Sequence, residues 1–333
     1  MASETKTVEK PEVDAYIDEL RGRMARKQEL REKNLTAEQH RPDESFFRKL
    51  DSNLKKNTAF IKKLKTLTES QRTALINDFG ALNLTKYVEE MASSLVEVKL
   101  KVTDVPCAIE LCCLAHQRYA RFADVMLEQW RKALPQKKTD KVANASKLRV
   151  DLRMFGELVV LGLFVEKDGL QVLGNALAFL IQTDKTEHQN VAVLTTFIRY
   201  CGEDYAGLAP RSIRMAADRL GLTLPKSTIF SAERRQTVGN LLAEYYDSLV
   251  KHVLNDHSEK KIQERRNRRQ YDTKGEVQPD ARQRLEEMRA NFEKLLQSAQ
   301  QMAEYLDKDP PAVPDDQPDE DDLLMDENGV VIQ

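Results

Sequence analysis

Three side chains that could ligate a metal lie close together in the sequence and are the first candidates for chemistry. Cys112, Cys113 and His116 are three and four residues apart, so an α-helix would place them on one face. One of these cysteines with His116 would make a metal-binding pair, so a four-coordinate zinc site needs two further ligands from elsewhere, and the surrounding residues are leucine and alanine. Free cysteine usually packs as a small apolar side chain. We therefore predict that all four cysteines, Cys107 and Cys201 included, are reduced core residues, with no metal and no cofactor.

The common motifs that position a nucleophile, a phosphate or a catalytic metal are absent from the sequence. None of G-x-x-x-x-G-K-S/T, G-x-G-x-x-G, H-E-x-x-H and G-x-S-x-G occurs. The motifs that nucleotide hydrolysis and the common hydrolase mechanisms require are therefore missing from the sequence. We predict that the chain is not an enzyme.

Basic residues occur in pairs, seven residues apart, within residues 44–65. The apolar residues of this segment follow a heptad pattern, with Asn57 as the polar exception, which predicts a single amphipathic helix. Seven residues are about two helical turns, so the pairs would form a ladder beside the apolar stripe. The members of this basic ladder are Arg48, Lys49, Lys55, Lys56, Lys62 and Lys63.

A second basic segment lies near residue 260 and consists of Lys260, Lys261, Arg265, Arg266, Arg268 and Arg269. Each basic segment has two interpretations, a solvated helix face or a surface that binds an anion such as RNA phosphate, the acidic tail or an acidic partner. The second segment also resembles a nuclear-targeting sequence. Binding of single-stranded RNA usually adds stacking aromatic residues, and only Tyr271 stands near, which argues against autonomous RNA recognition.

Acidic residues are concentrated at the C-terminal end of the chain. Residues 307–327 hold ten acidic residues against one lysine, a formal charge of −9 that leaves +7 on the rest of the chain, since the total is −2. Four prolines interrupt the same region. We therefore predict that residues 307–333 form a disordered acidic tail. A basic body beside an acidic tail favours a polyanionic or acidic partner, or contact between the two parts.

The elements that position these residues are predicted to be helices throughout. Six prolines fall at predicted helix boundaries, and no segment alternates as a strand would. Helices of about 12 to 24 residues with short connections predict an all-α, HEAT-like α-solenoid of antiparallel hairpins with about ten helices. We expect residues 1–42 to form a charged helical extension and residues 43–306 the repeat domain. No run of about 18 apolar residues occurs, so no membrane span is predicted.

Local signals within the predicted array give three further expectations. Residues 68–71 (TESQ) and 186–189 (TEHQ) have the capping-box form and are predicted helix starts. Residues 147–165 are apolar on nearly every side, which predicts a helix in the middle of the array. Arg153 and Glu157 on that helix predict an intrahelical ion pair, or else a polar contact that holds neighbouring repeats in register.

Five segments carry a resemblance to a known family. They are FFRKLDSNLKKNTAFIKKLK at residues 46–65, HQRYARFA from His116, LRVDLRMFGELVVLGLF from Leu148, CGEDYAGLAPR from Cys201 and QERRNRR from Gln263. In order and spacing they resemble the up-frameshift family of nonsense-mediated mRNA decay factors, over residues 10–306. The matching part is the first domain of the kind found in the middle of eukaryotic initiation factor four gamma. The acidic segment resembles the linker that follows this domain.

The resemblance implies a non-enzymatic scaffold or adaptor in mRNA surveillance, cytoplasmic and with a perinuclear or shuttling distribution. Its implied partners are other nonsense-mediated decay factors and a helicase, because middle domains of initiation factor four gamma bind one. The alternative is a module that binds RNA directly through the basic helix faces. The family's segments that bind the up-frameshift helicase and the exon-junction partner match no position here. We therefore expect an N-terminal fragment or a truncated product that lacks them.

Overall fold

The computed structural model describes residues 8–314, which fold into fourteen α-helices. The first seven are α1 (Lys10–Leu35), α2 (Ala37–His40), α3 (Glu44–Arg48), α4 (Leu54–Leu64), α5 (Arg72–Ala81), α6 (Val88–Glu97) and α7 (Val105–Arg118). The others are α8 (Phe122–Ala133), α9 (Ala145–Val160), α10 (Glu166–Thr183), α11 (Val191–Ala206), α12 (Arg211–Leu220), α13 (Ala232–Lys274) and α14 (Pro279–Leu306). Within residues 8–314 the only β pairing is one isolated bridge. The all-α prediction is confirmed.

The prediction of a single helix over residues 44–65 is wrong. Helix α3 ends at Arg48, and α4 begins only at Leu54, because Asn53 caps α4 by accepting hydrogen bonds from the backbone N–H groups of Lys55 and Lys56. Between the two helices, the Asp51 N–H group donates to the Ala81 carbonyl at the end of α5, and the Asp51 carbonyl accepts the Asn83 N–H group. Splitting of this kind raises the helix number above the predicted ten.

Helix α9 lies in the centre of the helical array, as its apolar sequence predicts. It packs on α7, α10 and α11, and Phe155 contacts Trp130 of α8 with ring centroids 5.6 Å apart. Gly156 permits the close contact with α11, because a Cβ there would lie 3.0 Å from both Cys201 and Phe197. Burial of these aromatic side chains contributes about 1.5–3 kcal/mol each to folding.

Helix α1 packs against the body of the array despite its highly charged sequence. The Lys27 Nζ atom bonds to Asp204 at 2.5 Å, Arg31 donates to the Val160 carbonyl at 2.7 Å, and Asn34 donates to the Leu161 carbonyl at 2.9 Å. The apolar residues of α1 also pack on α12. Polar contacts therefore provide much of the stabilisation that a wide apolar stripe provides in other helices. The domain boundary near residue 42 stays a prediction.

Of the two predicted capping boxes, the structure confirms one. Thr68 and Gln71 make both reciprocal hydrogen bonds and open a short 3₁₀ helix. Residues 186–189 do not begin a helix, and α11 starts only at Val191. There the Asp184 carboxylate accepts the backbone N–H groups of Gln189 and Asn190. A long-range bond from the Tyr245 hydroxyl to the same carboxylate fixes the turn.

The described chain divides into two compact units, residues 8–249 with 298–309, and residues 250–297 with 310–314. In the second unit, Asn267 of α13 donates to the Ala281 carbonyl at 3.0 Å, and His257 packs on Phe292. No helix in residues 8–314 combines the length and the apolar character needed to cross a bilayer.

The predicted acidic tail begins with residues that bind the first unit. Asp307 pairs with Arg214, Asp309 pairs with Arg211, and the Tyr246 hydroxyl donates to the Asp309 carbonyl at 2.6 Å. The other eight acidic residues of the predicted tail belong to residues 315–333, outside the described part of the chain. The disorder predicted for that segment stays a prediction.

Candidate partner-binding surfaces

The three side chains considered for a metal are core residues of α7. Cys112 and Cys113 are fully or almost fully buried, and the His116 Nε2–H group donates to the Asn34 carbonyl at 3.1 Å. The Asn34 amide also contacts the Cys113 sulfur at 3.3 Å. Within residues 8–314 no three Cys, His, Asp or Glu side chains are grouped as metal ligands. Cys113 and His116 therefore join α7 to α1 through Asn34.

We expect the native protein to resist thiol alkylation at neutral pH. Burial raises the pKa of Cys107 to about 11 and that of Cys113 to about 12, so almost no reactive thiolate is present. Iodoacetamide should modify none of the four cysteines within an hour, and all four after unfolding in urea, as read by intact mass. Rapid labelling of the folded chain would show that α7 opens readily.

The structure divides the predicted basic ladder between two helices, and three of its six members pair with acidic side chains. Arg48 bonds to Glu44 at 2.9 Å within α3. Lys56 bonds to Asp51 at 2.6 Å and Lys63 to Asp78 at 2.7 Å. The other three are exposed and make no ion pair within the described residues: Lys49, Lys55 and Lys62. The ladder is therefore not the continuous basic face that the heptad spacing predicts.

The second basic segment extends along α13, which continues through it to Lys274. Arg265, Arg266, Arg268 and Arg269 are exposed, and Lys260 lies 4.7 Å from the ring centroid of Phe292. Tyr271, two residues farther along, is 59% exposed. The exposed arginines and this aromatic ring are therefore all accessible on one helix.

A groove that the sequence patterns did not indicate lies where α3, α4, α7 and the segment before α6 meet. Its volume is about 830 Å³. Five basic residues line it against the single acid Glu44: Arg41, Arg48, Lys86, Arg118 and Arg121. Because they are spread over eighty residues of sequence, no local charge run reveals them. Two of them, in HQRYARFA, belong to a segment that carries the family resemblance.

The groove also has apolar walls. Phe47 and Tyr119 pack with ring centroids 5.6 Å apart, and Tyr87 also lines the groove. Leu54, the first residue of α4, is 69% exposed at its edge. The Arg118 guanidinium is held by the Phe79 carbonyl at 2.6 Å and stacks on the Phe79 ring. Apolar walls with fixed cations suit a ligand that is both apolar and acidic.

Arg153 and Glu157 make the predicted ion pair, at 2.6 Å, and Arg153 also reaches two neighbouring elements. It donates to the Val102 carbonyl at 2.7 Å and stacks 3.5 Å from the ring centroid of Tyr200 on α11. The guanidinium is almost fully buried. One side chain thus connects α9, α11 and the segment before α7, which fits the predicted role in holding repeats in register.

Comparison with known proteins gives consistent matches. Residues 54–328 match the MIF4G domain. The human protein "Regulator of nonsense transcripts 2" is 47% identical over 292 residues, which are 88% of this chain and 23% of the human protein. "Regulator of nonsense transcripts UPF2" of Arabidopsis thaliana is 31% identical over 313 residues, 91% of this chain and 25% of that protein. The chain thus spans about a quarter of these curated relatives.

Solved structures agree with the sequence matches. The crystal structure of the first MIF4G domain of human nonsense mediated decay factor UPF2 matches with a TM-score of 0.85 and 45% identity, over 91% of this chain and 99% of that one. The N-terminal mIF4G domain of Saccharomyces cerevisiae Upf2, at 21% identity and a TM-score of 0.65, shares the fold. The resemblance to nonsense-mediated decay factors is confirmed, and the chain belongs to the MIF4G domain family.

Proposed function

We propose that this chain is a non-enzymatic scaffold domain that acts in cytoplasmic nonsense-mediated mRNA decay by binding a segment of another decay factor. Similarity to "Regulator of nonsense transcripts 2" supports the pathway. The groove with basic and apolar walls is the observation that carries the mode of action. Its complement is a peptide with acidic residues around one or two large apolar side chains.

A protein partner suits this groove better than an RNA backbone does. Phosphate contacts need a continuous positive surface, but Arg48 of the groove already pairs with Glu44, and Lys56 and Lys63 of the basic ladder pair with acidic residues too. Arg121 likewise pairs with Glu89 at 3.0 Å. Lys86 lines the groove and makes no ion pair within the described residues, and Lys49 and Lys55 of the basic ladder are exposed without one as well. The partner therefore gains both apolar burial and a few charge contacts.

We expect the double variant Leu54→Asp and Lys86→Glu to weaken binding to purified decay factors at least tenfold while leaving the fold intact. Both side chains are exposed, so neither contributes much to stability. The change removes an apolar contact and reverses one charge, each worth about 1 kcal/mol or more at an interface. Pull-down after nuclease treatment, followed by titration at two salt concentrations, measures the effect.

The matched control is Val165→Asp with Lys185→Glu, which makes the same chemical change on exposed residues outside the groove. It should bind like the parent. If the groove variant and the control both bind like the parent, the groove is not the contact surface. A complex that disappears with nuclease would instead support bridging by RNA.

Direct RNA binding is the second candidate function, and the exposed segment on α13 favours it. Arg265, Arg266, Arg268 and Arg269 with Tyr271 combine phosphate-binding and stacking groups. Replacing Arg266 and Arg269 by Glu should reduce RNA affinity and its salt dependence together. Unchanged RNA affinity would remove this candidate.

A further inference from the structure

We propose that a pocket between α9, α11 and the end of α14 binds the phosphate of a phosphorylated serine or threonine side chain of a partner protein. The pocket has a volume of about 260 Å³ and belongs to the first compact unit. The pocket and the groove described above share no lining residue, so a test of the pocket does not depend on the function proposed for the groove. Its polar side chains are Arg149, Thr195, Thr196, Arg199, Tyr200, Gln301 and Tyr305.

The two arginines of the pocket provide positive charge that no acid of the described chain neutralises. Arg149 and Arg199 make no ion pair within residues 8–314, and no acidic residue lines the pocket. The Arg149 Nε atom is buried without a hydrogen-bond partner. Arg199 lies between two rings, 5.3 Å from the centroid of Tyr200 and 5.4 Å from that of Tyr305. The rings fix the guanidinium and leave its N–H groups for a ligand.

Thr195 is the second, independent indication of a ligand. It is only 6% exposed and lines the pocket, yet its hydroxyl makes no hydrogen bond. The adjacent Thr196 shows the usual alternative, because its hydroxyl donates to the Ala192 carbonyl at 2.8 Å. A buried hydroxyl without a partner costs about 1–3 kcal/mol, so a bound oxygen would recover that free energy.

The donor set matches a phosphate monoester better than a carboxylate. One guanidinium satisfies both oxygens of a carboxylate, which would leave the second guanidinium and the hydroxyl unused. A phosphate monoester offers three terminal oxygens and a charge of about −1.5 to −2. Two guanidinium groups and one hydroxyl supply donors for all three.

The surroundings favour a single phosphate over the chain of phosphates in RNA. The adjoining groove shares Arg199, Tyr200 and Tyr305 with the pocket, but it is also lined by Glu19, Glu157 and Glu203. Arg23, Lys27 and Arg153 also line this groove, but they pair with these carboxylates. The groove therefore offers no continuous row of unpaired cations for the next phosphates of a polynucleotide, whereas a phosphorylated side chain needs only the cations of the pocket itself.

Titration calorimetry of the full chain with O-phosphoserine, at constant ionic strength, tests the proposal. We expect saturable binding that Arg149→Gln and Arg199→Gln each weaken at least tenfold. Thr195→Val should weaken it about tenfold, the usual effect of losing a hydrogen bond to a charged group. Thr196→Val, whose hydroxyl is already bonded, is the matched control and should bind like the parent.

Three results would overturn the proposal. Phosphoserine affinity that is unchanged in both arginine variants would show that the pocket is not the site. Equal affinity for glutamate would identify a carboxylate site, and a single-stranded RNA hexamer that displaces phosphoserine and loses affinity in the same variants would identify an RNA site. A clear fall of the melting temperature in Thr195→Val would show that the hydroxyl already has a partner, since otherwise its removal should leave the melting temperature unchanged or raised.

Discussion

Asp204→Ala should lower the free energy of unfolding by about 3–5 kcal/mol, because it leaves a largely buried lysine without its main partner. Asp204 is 1% exposed and bonds to the Lys27 Nζ atom at 2.5 Å and to the Ser227 hydroxyl at 2.6 Å. Burial alone would lower the pKa of Lys27, but Asp204 and Glu203 outweigh burial and raise it. Urea denaturation followed by circular dichroism measures the change.

A double-mutant cycle separates the ion pair from the packing around it. Lys27→Met combined with Asp204→Leu should recover most of the loss, since two apolar side chains replace two buried charges. Glu32→Ala, an exposed change on the same helix, should have almost no effect. In the Asp204→Ala variant, amide hydrogen exchange should become faster in α1 before it does so in the other helices. A loss below about 1 kcal/mol in that variant would mean that this pair does not hold α1 in place.

Asp184→Ala should lower the free energy of unfolding by more than about 3 kcal/mol, because it removes the acceptor of three separate hydrogen-bond donors. These are the backbone N–H groups of Gln189 and Asn190 and the hydroxyl of Tyr245. Burial, followed by the adjacent Asp184 charge, raises the pKa of Tyr245 well above its usual value, so the hydroxyl stays a donor at any working pH. The effect is measured as a shift in the urea midpoint at a constant m-value.

Asp184→Asn is the informative companion variant. Its amide keeps one acceptor oxygen, so it should lose clearly less stability than the alanine variant. Glu187→Ala, an exposed change in the same turn, should lose almost none. Equal losses for alanine and asparagine would indicate that the negative charge, rather than the acceptor atoms, stabilises the start of α11.

Local sequence signals placed several helices correctly. Periodicity placed α9 in the centre, because a helix that is apolar on nearly every side has no face to present to water. Pro279 marked the start of α14, since proline is tolerated only in the first turn of a helix. The residues of TESQ predicted their own reciprocal bonds, because a capping box joins groups only three residues apart.

Competition between local and long-range contacts explains the two wrong expectations. The heptad pattern over residues 44–65 is real, but Asn53 caps α4 and the Asp51 backbone bonds to the segment after α5. TEHQ has the capping pattern too, yet Asp184 takes the N–H groups of the turn and Tyr245, sixty-one residues away, holds Asp184 in place. A pattern confined to a few residues contains no information about such distant partners.

The sequence by itself thus determined an all-α array, buried cysteines and the family resemblance, because helix periodicity, proline position and residue type act over one or two turns. Only the tertiary structure decided which charges are available to a partner. Lys56 and Lys63 lie in the same basic ladder as Lys55 and Lys62, but Asp51 and Asp78 pair with the first two alone. The groove and the phosphate pocket each gather side chains from distant helices, and packing alone brings such side chains together.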